Sequence, residues 1–212
     1  MKFDKPTTEE ELAEVYDHIY RNEPKYGRLV GRHRAIIKFV FDETAASQRK
    51  NPMILDAGCG RGDVMKHLRA NGYNAQGTEV SRHLYENDLK NFPVALLRYE
   101  QFDMLPENSY DFVISSDVLE HMCDWDMVDH ALFQFARICK PDGFACITTA
   151  NHVSRNFSNS FETGPDWNGD LHLVHATNDE WLSHVARFFE IEQNFTDAKG
   201  NTFFFFGKPR SI

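Results

Sequence analysis

The sequence contains few of the features that mark membrane-spanning, secreted or disordered chains. No run approaches the roughly 18 consecutive apolar residues of a membrane span, and the first residues, Met1–Pro6, include no apolar signal segment. Glycine and proline number 12 and 8 of 212 residues, and 42% of the chain is hydrophobic, too much for disorder. The four cysteines have neither C-x-x-C nor metal-ligand spacing. We therefore expect a cytoplasmic chain with reduced cysteines and no membrane contact.

Positive charge is also scarce. The chain has 23 Lys and Arg against 32 Asp and Glu, a formal charge of −9. Nucleic-acid-binding proteins usually carry a basic face, so we expect no nucleic-acid partner. One basic cluster (Arg28, Arg32, His33 and Arg34) could still meet an anion, although a solvated helix face is the commoner origin of such a cluster. The length and hydrophobic content suit one domain over residues 1–212.

Strand and helix patterns alternate along the chain after two helical segments in the first fifty residues. The apolar runs predict strands near Met53–Leu55, Tyr73–Val80, Val94–Leu97, Asp111–Ser116 and Phe144–Thr149. A helix near Asp179–Arg187, a strand from Phe189 and a last strand at Thr202–Gly207 follow. Strands that alternate with helices predict a parallel sheet covered on both faces. The intervening 151–175 segment has little periodicity, and loops of that length are usually functional.

A glycine-rich turn follows the first strand, with the pattern Asp56-x-Gly58-x-Gly60-x-Gly62. Between a strand and a helix, such a turn offers backbone N–H groups and close approach to a ligand. A dinucleotide fingerprint would need glycine where Asp63 stands, and the Asp56 carboxylate would repel a pyrophosphate. These acids disfavour a nicotinamide or flavin dinucleotide. The turn also lacks the lysine of a Walker motif, which disfavours ATP. A cationic ligand fits better.

S-adenosylmethionine meets these requirements, because it carries a sulfonium and an amino group beside a ribose. Asp56 would face the cationic methionine part. Glu79 ends the second strand, where an acid can accept hydrogen bonds from both ribose hydroxyls. Two acids at these two positions favour this cofactor over a tight turn without a ligand.

Three segments then resemble a known family. Ile54–Gly62 resembles motif I of the class I S-adenosylmethionine-dependent methyltransferases, Pro106–His121 contains a stretch similar to the signature around their fourth strand, and Lys140–Gly143 resembles the turn before their fifth. The resemblance covers about residues 50–150. It implies a doubly wound, Rossmann-like α/β fold with a seven-stranded sheet, mostly parallel, whose last strand is antiparallel.

The resemblance also implies a cofactor site. The methionine part would be held by Asp56, Gly58, Cys59 and Gly60 of the glycine turn and by Ser116 and Asp117 at the end of the fourth strand. Glu79 of the second strand would hold the ribose. Val80, after the second strand, and Gln101 and Phe102, after the third, would hold the adenine. Where the family often has an Asp-Ala pair after the third strand, this chain has Tyr99-Glu100.

Methyl transfer to a nucleophile of high pKa also needs a base. We predict that this base is His121, His152 or His175. They lie near the carboxyl ends of strands four and five, where open α/β sheets bind ligands, or in the long loop. The residues Asp117, Glu120 and His121 are similar to the Glu-x-x-Glu-His metal site of ubiquinone-pathway and small-RNA O-methyltransferases, although metal-free family members commonly share Leu-Glu-His here. A divalent metal is therefore the less favoured alternative.

Aromatic side chains could close the site. Tyr16, Tyr20 and Tyr26 of the N-terminal helices could cover the cofactor from above, and Phe157, Phe161 and Trp167 could form a lid. Packing roles for these aromatics are at least as common. His172 and His175 could act as bases or ligands, but a pair with structural hydrogen bonds is commoner.

We interpret the chain as a single methyltransferase domain. It comprises an N-terminal helical cap (1–50), a cofactor-binding core (51–150), a substrate loop (151–176) and a C-terminal helix and strand pair (177–212). The predicted reaction moves a methyl group from S-adenosylmethionine to an oxygen or nitrogen of a small molecule. Two alternatives stay open: a metal-assisted O-methyltransferase acting on vicinal hydroxyls, and a non-catalytic domain that binds the cofactor without turnover.

Overall fold

A computed structural model describes residues 5–28, 31–151 and 171–211. Seven strands are present in these ranges: β1 (Met53–Ala57), β2 (Asn74–Glu79), β3 (Val94–Leu96), β4 (Tyr110–Ser116), β5 (Cys139–Ala150), β6 (Phe189–Thr196) and β7 (Thr202–Pro209). The helices are α1 (Glu9–Asn22), α2 (Gly31–Ala46), α3 (Asp63–Ala70), α4 (Arg82–Leu84, continued by a π-helical turn), α5 (Trp125–Ile138) and α6 (Asn178–Val185).

The strands form one sheet in the order β3-β2-β1-β4-β5-β7-β6. Strands β1 to β5 are parallel to one another, and β7 lies antiparallel between β5 and β6. This arrangement confirms the predicted sheet, including the antiparallel last strand. Parallel connections bring the carboxyl ends of β1 to β5 to one edge, where open α/β sheets bind ligands.

The core lies on both faces of the sheet, as alternation along the strands requires. In β1, Ile54 belongs to the apolar cluster that contains Met65 of α3, whereas its neighbour Leu55 belongs to the opposite cluster with Phe135 of α5. All four of these side chains are at most 1% exposed. The sheet is therefore held by two independent apolar layers.

Helix α1 begins after an N-cap at Thr8. The Thr8 hydroxyl accepts a hydrogen bond from the Glu11 amide at 3.2 Å, and acidic residues fill the first turn. Leu12, Val15 and Ile19 form its buried face and join a third, smaller cluster. That cluster also contains Cys123 and Leu171, so it attaches α1 to the ligand-binding edge of the sheet.

Strand β5 begins earlier than the sequence predicts. Cys139 pairs with Tyr110, the register then shifts, and Phe144 pairs with Phe112. Lys140–Gly143, which resembles a turn before the fifth strand, forms this irregularity within the strand. Its position is secured by Asp111, whose carboxylate lies 2.9 Å from the Lys140 Nζ.

Two further features of the described ranges bear on the chemistry of the chain. The four cysteines are all free thiols. None of the helices in residues 5–28, 31–151 and 171–211 has the length and apolar content needed to cross a membrane.

Candidate active site

A cavity of about 440 Å³ opens at the carboxyl ends of the parallel strands. Its floor is the glycine turn after β1 and the end of β2, one wall is the segment after β4, and its roof is α1 with the turn that follows it. Most of the predicted cofactor residues line it: Asp56, Gly58, Cys59, Gly60, Glu79, Val80, Ser116 and Asp117. The fold therefore brings together residues from three separate predicted motifs.

The glycine turn adopts a conformation that favours glycine. Gly58, Gly60 and Gly62 have φ values of +73°, +53° and +73°, in the left-handed region that side chains with a Cβ disfavour. A Cβ on Gly58 would also lie 2.8 Å from Val118 Cγ2 and 2.9 Å from Tyr99 Oη. The turn consequently leaves its backbone open to the cavity, which a ligand needs for close approach.

Two buried carboxylates hold the turn against its neighbours. Asp56 accepts a hydrogen bond from the Met65 amide of α3 at 3.2 Å. Glu79 accepts one from the Gly60 amide at 2.8 Å and one from the Ser81 amide at 2.9 Å. Glu79 thus connects the glycine turn to β2.

Burial raises the pKa of both acids to about 7. The cause is the loss of water around the carboxylates, which the backbone hydrogen bonds offset only in part. A ligand that brings positive charge to Asp56 and hydroxyl donors to Glu79 would offset the rest, because each carboxylate oxygen retains a further lone pair. S-adenosylmethionine brings both, so the residues present fit this cofactor.

The segment after β3 differs from its prediction. Gln101 and Phe102 do not line the cavity: the Gln101 amide oxygen accepts from the Arg98 backbone N–H, and Phe102 is fully buried in the core. A 3-10 turn at Tyr99–Met104 rotates these side chains away. Tyr99 lines the cavity in their place.

Helix α1 is attached to the strand ends by two of its carboxylates. Glu9 accepts hydrogen bonds from the Tyr99 and Glu100 amides, each at 3.0 Å. Asp17 accepts from the Ser81 hydroxyl at 2.5 Å and the His83 amide at 2.8 Å. The helix therefore contacts the segments after both β3 and β2.

A third attachment comes from the glycine turn. Arg61 is 5% exposed and donates to the Tyr26 carbonyl at 3.0 Å and to the Tyr20 and Glu23 carbonyls at 3.3 Å each. It also pairs with Asp88 at 2.6 Å. Its guanidinium thus binds carbonyl groups at the C-terminal end of α1 and in the turn that follows. The sequence offers no signal for any of these attachments, since each partner lies tens of residues away.

The three tyrosines predicted to cover the site all line the cavity. The Tyr20 ring lies 5.4 Å from that of Tyr26 and 5.9 Å from that of Tyr16, and Tyr16 meets His121 edge-on at 6.0 Å. They present aromatic surface opposite the glycine turn. Phe157, Phe161, Trp167 and the predicted base His152 lie outside the described residues.

Two basic side chains, Lys25 and Arg28, line the cavity together with His33. The Arg28 guanidinium lies 3.8 Å from the Asp63 carboxylate. Part of the basic cluster noted in the sequence therefore faces the cavity.

The segment after β4 forms the wall nearest α1. Asp117 adopts φ +55° and accepts a hydrogen bond from the Thr148 hydroxyl at 3.1 Å. Glu120 is 1% exposed, and its carboxylate accepts from the Thr149 hydroxyl at 3.0 Å and the Ala150 amide at 3.1 Å. Residues 117 and 120 are therefore each secured by β5.

His121 is oriented by the chain that leads into the C-terminal part of the fold. Its Nδ1 is hydrogen-bonded to the Leu171 carbonyl, and a carbonyl can only accept, so Nδ1 carries the proton. Nε2 is then the basic nitrogen. The His172 ring lies 4.9 Å from that of His121 and also lines the cavity. His175 does not: it is exposed, and its Nε2 donates to the His172 carbonyl.

The ligand atoms of Glu120, His121 and His172 all lie within 4.8 Å of one another. The possible metal set in the sequence was Asp117, Glu120 and His121; the structure groups the latter two with His172 instead. A carboxylate with two imidazoles suits zinc, iron or manganese better than magnesium, which prefers oxygen ligands. These residues could hold such an ion.

A family model described as a methyltransferase domain matches residues 30–193. Curated relatives include arginine-hydroxylase NDUFAF5, mitochondrial, of Rattus norvegicus, 37% identical over 108 residues that cover 49% of this chain and 30% of the relative. The ubiquinone biosynthesis O-methyltransferase of Rickettsia akari is 29% identical over 114 residues, 50% of this chain and 43% of the relative. The chain thus spans less than half the length of both.

Solved structures share the fold. The 1,6-didemethyltoxoflavin-N1-methyltransferase of Burkholderia thailandensis, with bound S-adenosylhomocysteine, has a TM-score of 0.69 at 16% identity, covering 99% of this chain and 94% of its own. A TehB-like S-adenosylmethionine-dependent methyltransferase of Corynebacterium glutamicum scores 0.63 at 20% identity, with 93% and 98% covered. Because the family model also matches more than half of the sequence, the chain belongs to the class I S-adenosylmethionine-dependent methyltransferase family.

Proposed function

We propose that this methyltransferase acts on an oxygen or nitrogen nucleophile of a small, planar acceptor, with His121 as the general base. The observation that carries the proposal is the position of the His121 imidazole. It lines the cavity and holds its proton on Nδ1, which leaves a basic Nε2. The aromatic roof of Tyr16, Tyr20 and Tyr26 supports a planar acceptor, because ring faces stack on ring faces.

Each part of the cavity has a role in this reaction. Asp56 and Glu79, with the glycine turn, would bind the cofactor, which supplies an electrophilic methyl group when bound. The tyrosine roof would exclude water and align the acceptor, and alignment supplies much of the rate of a methyl transfer. His121 Nε2 would take the proton that the acceptor nucleophile loses, while the Leu171 carbonyl keeps the ring in place.

The relatives support an acceptor of this kind. One is a ubiquinone biosynthesis O-methyltransferase and one structural neighbour is an N1-methyltransferase of 1,6-didemethyltoxoflavin. Both names describe small molecules methylated on oxygen or nitrogen.

The test compares two histidine variants in an acceptor screen. Formation of S-adenosylhomocysteine is measured with phenolic, catecholic and heteroaromatic acceptors. For an accepted compound, His121→Gln should lower kcat at least about 100-fold, the low end for a general base, while calorimetry finds unchanged cofactor affinity. The control His175→Gln, at an exposed imidazole outside the cavity, should keep full activity. Equal activity in both variants would contradict His121 as the base, and tight cofactor binding without turnover of any acceptor would indicate a non-catalytic domain.

A second candidate is a metal-assisted O-methyltransferase acting on vicinal hydroxyls. The cluster of Glu120, His121 and His172 favours it, because a carbonyl-bonded histidine beside a hydrogen-bonded carboxylate is the usual setting of metal ligands. The two candidates exclude each other at His121, since Nε2 cannot both bind a metal ion and accept a proton. Loss of activity in EDTA, restored by zinc, manganese or ferrous iron, would favour the metal. Full activity in EDTA would favour the base.

A further inference from the structure

The segment after β3 departs from the family pattern at Tyr99 and Glu100, and nothing in the proposed mechanism uses these residues. The departure lies at the cavity rather than in a surface loop. In the sheet order, β3 follows β2, and β2 follows β1. A cofactor whose methionine part lies on the glycine turn of β1, with its ribose at Glu79 of β2, extends its base toward β3. The base should therefore meet Tyr99.

The Tyr99 side chain presents an unused donor there. Its ring packs in the core, 4.8 Å from Phe102 and 5.6 Å from Phe135, and the residue is 5% exposed. Tyr99 lines the cavity, and its buried hydroxyl has no hydrogen-bond partner among the residues that the structure describes. Leaving a buried hydroxyl without a partner costs about 1–3 kcal/mol. Such a group is expected where a ligand supplies the missing acceptor.

The acidic group at this position comes from another part of the chain. Glu9 of α1 is 2% exposed, lines the cavity and places its carboxylate on the Tyr99 and Glu100 amides. Each of its oxygens accepts one of these N–H groups at 3.0 Å. A carboxylate oxygen has a second lone pair, so Glu9 can accept a further hydrogen bond from a ligand.

We propose that Glu9 and Tyr99 together recognise the adenine base, Glu9 by accepting a hydrogen bond from its exocyclic amino group and Tyr99 by donating one to a ring nitrogen. Adenine offers one donor and several acceptors at its edge, and this pair supplies the complement. The N-terminal helix is thus part of the specificity for the cofactor. The inference rests on S-adenosylmethionine as cofactor and adds the residues that select its base.

The experiment uses an analogue in which the base is hypoxanthine, so that an oxygen replaces the amino group. The full-length protein is titrated by calorimetry with S-adenosylhomocysteine and with S-inosylhomocysteine. The wild type should prefer the adenine ligand at least about tenfold, one charged hydrogen bond. In Glu9→Gln, whose amide can donate to the oxygen, the preference should fall to within about threefold. Glu10→Gln, on the exposed side of the same helix, should keep the wild-type preference.

The ratio separates recognition from structure. If Glu9 only attached α1 to the sheet, Glu9→Gln would weaken both ligands equally and leave the preference unchanged, which would overturn the inference alone. Failure of the wild type to bind either ligand would overturn the cofactor as well.

Tyr99→Phe provides a second measurement that does not depend on Glu9. It removes only the hydroxyl, so the apoprotein should melt at the same or a higher temperature. Affinity for S-adenosylhomocysteine should nevertheless fall about fivefold, the value of one neutral hydrogen bond. Unchanged affinity would overturn the role of Tyr99.

Discussion

The glycine turn and helix α1 form opposite sides of the same cavity, but different kinds of interaction hold them in place. The turn owes its shape to backbone conformation, with Gly58 and Gly60 at positive φ. Helix α1 is held over it by side chains: Glu9, Asp17 and the Arg61 guanidinium. Substitution of a glycine in the turn should therefore abolish binding of the cofactor. The contacts of the helix can be removed one at a time, so each such substitution should weaken binding only in part.

The largest effect is expected in the turn itself. Gly58→Ala forces a Cβ into the left-handed region, at about 1–2 kcal/mol, and against Val118 and Tyr99. Affinity for S-adenosylhomocysteine should fall beyond detection in calorimetry. Gly72→Ala is the matched control: its φ is +86° and no atom of the described residues lies within 4 Å of the added Cβ. It should lose similar stability and keep full affinity; lost affinity in both would show that strain alone is responsible.

The next effect concerns the two buried acids of the floor. The pKa values of Asp56 and Glu79 are about 7 in the folded chain, above their ordinary values of 3.8 and 4.5. Between about pH 4 and 7 the folded chain therefore keeps protons that the unfolded chain has lost. The free energy of unfolding should fall as the pH rises through this window.

Melting curves of the apoprotein measure this dependence. The Tm should drop on the order of 15 °C across the window. The double variant Asp56→Asn/Glu79→Gln should reduce the slope, and Glu10→Gln, at an exposed carboxylate, should not. A slope that is the same in all three proteins would contradict the raised pKa values.

A smaller effect is expected under the helix. Arg61→Met removes three hydrogen bonds to the end of α1 and the turn that follows it, and the pair with Asp88, at about 2–3 kcal/mol. Hydrogen exchange should accelerate in residues 15–28, and affinity for S-adenosylhomocysteine should fall about tenfold, without change in the strands. Arg21→Met, at an exposed arginine 3.7 Å from Asp17, should change neither. Uniform acceleration throughout the chain would instead place Arg61 in the global stability of the fold.

The smallest effect is at the beginning of the helix. Thr8→Ala removes the N-cap of α1, and Thr177→Ala removes the N-cap of α6, which lies away from the cavity. Each should lower the free energy of unfolding by about 1 kcal/mol, measured by urea denaturation. Only Thr8→Ala should also weaken S-adenosylhomocysteine, about twofold to threefold. Equal weakening by both variants would mean that affinity follows overall stability.

The same contrast explains what could be predicted from the sequence. The alternating strands and helices and the glycine turn follow from patterns within short stretches of the sequence, and the antiparallel β7 follows from the resemblance to the family. The early start of β5 did not, because Asp111 and Lys140 are 29 residues apart in the sequence and meet only in the folded chain.

The prediction that Gln101 and Phe102 line the cavity is wrong for a local reason. A 3-10 turn there directs Phe102 into the core and Tyr99 toward the cavity, and the apolar pattern does not distinguish the two. The two histidines also differ: His172 packs against His121, whereas His175 is exposed. His172 follows Leu171, whose carbonyl is hydrogen-bonded to His121, and this contact places His172 at the cavity. Contacts between distant segments decide such positions, and no spacing rule contains them.

Strand β3 gives the attachment of α1 a second consequence. It has three residues and, within the part of the chain that the structure describes, pairs only with β2, so it forms one border of the sheet. Unpaired borders invite pairing between molecules. Glu9 occupies the two amides that follow the strand at Tyr99 and Glu100, which leaves fewer backbone groups for an intruding strand. A chain shortened past α1 should therefore be not merely inactive but prone to aggregate, starting from this border.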